Sequence, residues 1–108
     1  MLINEIAVGT ILTPNLEIVV DSHSLDRAKE RGVDPQAVDY IIRKQLPKIL
    51  KKLERIEVNQ RFWVYDWSRE TALGMKRLSS TQMKFMLKTV LPKAPGITPG
   101  IEKIISIS

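Results

Sequence analysis

The 108-residue chain has no cysteine and a single histidine, His23. The first absence removes disulfides and thiolate chemistry; the two together leave no side-chain set for a zinc site. Glycine is scarce, with five residues in all, and they build neither a phosphate-cradling loop nor a Gly-x-Ser-x-Gly elbow. Carboxylates are not clustered as a two-metal nuclease requires. No apolar run approaches the length that spans a bilayer. The opening MLINEIAVGTIL has no basic segment ahead of its apolar part, so it does not read as a signal peptide. These absences predict no metal, no cofactor and no membrane span. The expected setting is intracellular.

What is present is ordinary globular composition with an uneven charge. Hydrophobic residues make up 44% and charged residues 27%, enough to build one modest core in one domain. The net charge is +5. Residues 1–42 hold three basic and seven acidic side chains, whereas residues 43–93 hold thirteen basic and four acidic. A positive field confined to one part of a chain attracts polyanions, nucleic acid first among them. Lys48, Lys52, Lys76, Lys84 and Lys88 are the expected RNA contacts in that stretch.

Periodicity changes along the chain. PNLEIVVDS alternates as a short strand near 16–20. A helix follows near 24–31, capped by Ser22 or Ser24 and ended by Gly32. Asp34 and Pro35 open a second helix whose stripe is Val38, Ile41, Ile42 and Leu46. Pro47 should break or bend it, with a further short helical piece up to about Leu53. From residue 54 the period is two. Strands are expected near 62–67, 71–78 and 83–91, joined as an antiparallel meander. In the last of them Met83, Phe85, Leu87, Thr89 and Leu91 should share one face. Residues 93–108 read as a Pro/Gly loop and a candidate extra strand beyond a core of about 16–92. Strand, helices, then strands point to α+β, with helices on one face of an antiparallel sheet.

The stretch DSHSLDRAKERGV carries the chemistry. His23, Arg27 and Arg31 recur at i, i+4 and i+8, so they form one polar row on a helix. Thr89 is a hydroxyl on an otherwise apolar face. Lys76 and Arg77 are adjacent in a strand and point to opposite sides, so one of them can join Thr89. One imidazole, several cations and hydroxyls suit metal-independent RNA cleavage. A base activates the ribose 2′-hydroxyl, cations stabilise the phosphorane, and a 2′,3′-cyclic phosphate results.

SHSLDRAKERGV, a second helix and a strand meander ending in LKTVLP together resemble the barnase–EndoU–colicin–RelE-like nuclease superfamily, in its small phage and toxin-system branch. The resemblance covers roughly residues 16–92. It implies two or three N-terminal helices packed on a four-stranded antiparallel sheet. It implies His23 as base, Arg27 or Arg31 with Arg77 on the phosphate, and Thr89 orienting it. The implied partners are RNA and an antitoxin or virion protein. The implied place is the bacterial cytoplasm or a virion. No second histidine is present, so the general acid has no assigned residue.

Two functions are open on the sequence. One is a ribonuclease-like domain cleaving RNA. The other is a non-catalytic structural, accessory or nucleic-acid-binding protein on the same fold. They differ in whether His23, an arginine of its row, Arg77 or Lys76, and Thr89 meet in one open cleft.

Overall fold

The computed structural model describes residues 9–107. The chain runs β1 (Gly9–Thr13), β2 (Leu16–Val20), α1 (Ser22–Glu30), α2 (residues 35–54), β3 (Arg61–Asp66), β4 (Thr71–Arg77), β5 (Lys84–Leu91) and β6 (Lys103–Ile107). Of the N-terminal stretch read above for a signal peptide, residues 1–8 lie outside the described residues. Among the described residues no helix is long and apolar enough to cross a membrane.

Local chemistry sets the elements. Pro14 and Asn15 reverse the chain between β1 and β2, and Asn15 takes the left-handed conformation at φ 70° that asparagine tolerates. Asp21 caps α1 by accepting from the backbone N–H of Ser24 at 2.8 Å. Asp34 caps α2 in the same way through Gln36, with Pro35 as the first helical residue.

The chain is α+β, but two expectations give way. The expected four-stranded antiparallel sheet is instead a six-stranded mixed sheet, in the order β1-β2-β5-β4-β3-β6. β2 runs parallel to β5 and β6 parallel to β3, while the remaining pairs are antiparallel. The two or three expected helices are two, because α2 continues through Pro47 as a single 20-residue helix. Proline offers no N–H to the Arg43 carbonyl, and its ring crowds that carbonyl. The backbone answers by loosening into a π turn over Ile41–Gln45, then tightening into a 3-10 turn over Leu46–Ile49. An α turn resumes over Leu50–Glu54. Under-rotation and over-rotation offset each other, so the two halves of α2 keep one buried stripe: Val38, Ile41, Ile42, Leu46, Ile49 and Leu53.

The helices cover one face of the sheet. Their stripe packs on Ile18, Phe62, Val64, Leu73, Met75, Phe85, Leu87 and Ile105, all buried. Phe62 and Phe85 meet edge to face at 5.7 Å. The connection from β5 to β6 serves the opposite face, where Ile101 and Leu91 pack against Trp63, Tyr65 and Ala72.

Candidate nucleic-acid interface

A bulge in β5 rearranges the expected site. Leu87 pairs with Met75 and Thr89 with Gly74, leaving Lys88 as the extra residue. Phe85 and Leu87 face the helices, and after the bulge Val90 does so too. Thr89 therefore turns to the other face, away from Phe85 and Leu87, with which the alternating pattern grouped it. Gly74 makes the room. A Cβ there would stand 2.6 Å from the Thr89 methyl and 3.0 Å from the Trp63 ring.

α1 then closes the strip of β5 that β2 leaves bare. The parallel pairing ends at Val20 and Leu87. Next to it the Ser24 hydroxyl donates to the Leu87 carbonyl at 2.6 Å. Arg31 Nη1 donates to the Thr89 hydroxyl at 2.7 Å and to the Val90 carbonyl at 3.0 Å. So Arg31 and Thr89 do come together, as a seam holding α1 to the sheet. The side chains of His23 and Arg27 make no hydrogen bond or ion pair among the described residues. His23 is exposed near Asp21, and Lys88 lies on the same side. The Ser24 backbone N–H holds the Asp21 carboxyl below its ordinary range against the opposing effect of burial, helped by the Ser24 hydroxyl, His23 and Lys88. At 1.5 Å per residue His23 and Arg31 are about 12 Å apart along α1, and Arg31 Nη1 is engaged by Thr89 and Val90.

Arg77 is not at this seam. It is 7% exposed and faces the helices. Nη1 donates to the carbonyls of Glu54 and Ile56 at 3.0 and 2.7 Å, and Nε to that of Ser79 at 2.7 Å. Nη2 reaches the Gln82 carbonyl at 3.3 Å. The guanidinium thus caps the C-terminal carbonyls of α2 and pins the β4–β5 turn. The sequence held a signal for this: Arg77 stands in step with Leu73 and Met75, on the core side of its strand.

The expected RNA-contacting lysines separate into two groups. Lys76, Lys84 and Lys88 belong to the sheet. Lys84 is paired with Glu17 across the parallel strands at 3.3 Å, and Lys76 sits in register between Arg61 and Met86. Lys48 and Lys52 are exposed on the outer side of α2. There they join Lys44, Lys51 and Arg55, also exposed. All five are exposed on the stretch of α2 that buries Leu46, Ile49 and Leu53, so they share its outer side. None of them has an ion-pair partner among the described residues. Glu54 is the only acidic residue between positions 43 and 55. Arg55 lies past the last apolar position that bounded the helix in sequence, so only the observed end of α2 adds it to the ridge.

Acidic side chains gather at the other end of the helical layer. Asp26 and Glu30 are exposed on α1, Asp34 and Asp39 lie on the first turns of α2, and Asp39 neutralises Arg43 at 2.8 Å. The His23–Arg27–Arg31 row therefore stands in mixed charge, and the Lys44–Arg55 ridge in nearly unopposed positive charge. Hollows of about 690 and 460 Å³ open elsewhere, one around Leu12, Asn15, Leu50 and Glu54, the other around Ile97, Ile101 and Ile104. No three His, Asp or Glu side chains gather as metal ligands would among the described residues.

No family model, curated protein or solved structure matches this chain.

Proposed function

We propose that this chain is a nucleic-acid-binding domain that grips the phosphate backbone with the outer side of α2 and does not cleave it. The observation that carries the reading is the ridge Lys44, Lys48, Lys51, Lys52 and Arg55, five exposed cations on one helix face without carboxylate partners. Complementing the helix dipole does not account for it. That effect fades beyond the last turn, and Lys44 and Lys48 lie further back. Cleavage would need His23, a row arginine and Arg77 around one phosphate. Arg77 is consumed by backbone carbonyls, and Arg31 is held in the α1–β5 seam.

The test is fluorescence anisotropy with mixed-sequence DNA and RNA over a salt series, alongside an RNA-cleavage assay in EDTA. Five phosphate contacts should weaken the affinity by roughly 10²–10³-fold between about 50 and 200 mM salt. Lys48→Glu/Lys52→Glu should abolish most of the binding. Salt-insensitive binding, or cyclic-phosphate ends appearing with the wild type and not with His23→Ala, would defeat this reading.

A further inference from the structure

The same ridge has a shape as well as a charge, and the inference here rests on the reading above. We propose that the ligand is double-stranded DNA in the B form, with the second half of α2 seated in the major groove and its cations on the phosphates of both walls.

Four features of the surface favour a duplex over a single strand. First, the ridge is convex, because α2 lies on the sheet through its buried stripe and presents the opposite side outward. Single strands are held in basic grooves floored by aromatic rings on which bases stack. Among the described residues one exposed ring, Tyr40, borders the ridge at its Lys44 end, and no row of rings does. Trp63 and Tyr65 are 4% and 6% exposed, beneath the β5–β6 connection on the far side of the sheet. Tyr40 is 38% exposed, but the Arg69 guanidinium occupies one face of its ring at 3.7 Å. Trp67 is 61% exposed, but it follows β3 and meets Tyr65 edge to face at 5.0 Å, on the same far side.

Second, the dimensions agree. Lys44 to Arg55 spans about 16 Å along the helix at 1.5 Å per residue. The B-form major groove is about 12 Å wide and admits an α-helix. A helix laid across that width places its first and last cations beside opposite phosphate walls. The A-form RNA major groove is deep and narrow and does not admit it.

Third, four of the five cations are lysines. An ammonium on a flexible stem meets phosphate as a point charge, and it lacks the planar fork that reads guanine bidentately. The expected binding is sequence-independent. Fourth, the first turns of α2 carry balanced charge, Asp39 being paired with Arg43, so the positive field of the helix is concentrated in its C-terminal half.

The experiment uses the full chain with a DNA duplex of about 20 base pairs, the RNA duplex of the same sequence, and the separate strands, each titrated from about 50 to 300 mM salt. The DNA duplex should bind at least about 10-fold more tightly than either single strand or the RNA duplex. Its log–log salt slope should be near −4.5, from about −0.9 per phosphate neutralised by five cations. Lys48→Glu/Lys52→Glu should weaken duplex binding by more than about 10-fold. The milder Lys48→Gln/Lys52→Gln should flatten the slope by about 2, with helix content checked by circular dichroism. Lys93→Glu makes one such charge reversal beside Pro92, which lines the hollow at the N-terminal end of α2 with Gly32 and Asp34. It should leave the affinity within about 2-fold. Equal or tighter binding of a single strand or of the RNA duplex overturns the duplex-DNA inference and leaves nucleic-acid binding standing. No binding to any of the four at about 50 mM salt overturns both.

Discussion

Arg77 shows what a single charged residue can be worth inside this protein. A guanidinium almost removed from water must spend its donors on protein oxygens, and this one does so on carbonyls from α2, the segment after it and the β4–β5 turn. Its loss would leave the Glu54 and Ile56 carbonyls without that donor, next to a hole in the core. Each stranded buried polar group costs about 1–3 kcal/mol. Arg77→Met should therefore lower stability by at least ~3 kcal/mol. At roughly 4–8 °C per kcal/mol that is a fall in melting temperature of more than ~10 °C. The folded fraction should bind nucleic acid as the wild type does. A stable Arg77→Met protein with impaired binding would mean that the guanidinium faces the ligand and not the core.

The irregular centre of α2 is a property of the element. A proline in a helix interior costs on the order of 3 kcal/mol relative to alanine, through the lost N–H and the clash with the preceding turn. The paired π and 3-10 turns reduce that cost without interrupting the stripe. Lys44, before Pro47, and Lys51 and Arg55, after it, all stay exposed. In Pro47→Ala the Arg43 carbonyl regains a donor, and the unfolded chain gains freedom worth about 0.4–1 kcal/mol in the other direction. The net expectation is a gain of about 1 kcal/mol in urea unfolding, with duplex affinity unchanged. A loss of stability, or a change of affinity with the helix intact, would show that the two special turns are tuned to the packing or to the ligand.

At the scale of the molecule, the sheet extends to the last described strand. β6 is an edge strand, yet Ile105 is 3% exposed and belongs to the same cluster as Phe62 and Val64. The C-terminal segment is therefore part of the core and not an appended tail. Ile105→Ala should cost about 2–4 kcal/mol, the usual range for truncating a fully packed isoleucine. The check is a denaturant melt followed by tryptophan fluorescence, since Trp63 pairs with the neighbouring Ile104 and reports on β6 directly. A loss under ~0.5 kcal/mol would mean that β6 is loosely attached.

Local signals in the sequence were enough for the caps at Asp34 and Pro35, the stripe Val38–Leu53, the period-two strands expected near 16–20, 62–67, 71–78 and 83–91 and observed within one residue of those bounds, and the concentration of positive charge after residue 42. Each is written in neighbouring residues, and neighbouring residues are what propensity and periodicity report. Pro47 was legible as a disturbance, but whether a helix breaks or bends around it depends on what its stripe packs against. The faces of β5 were legible only up to Leu87. One extra residue against Gly74 shifts the alternation, and nothing in KFMLKTVL marks the place. Strand order, the parallel pairs β2–β5 and β3–β6, and the role of Arg31 are contacts between distant positions. Tertiary structure alone decided them, because a hydrogen bond from residue 31 to residue 89 leaves no trace in the residues around either one.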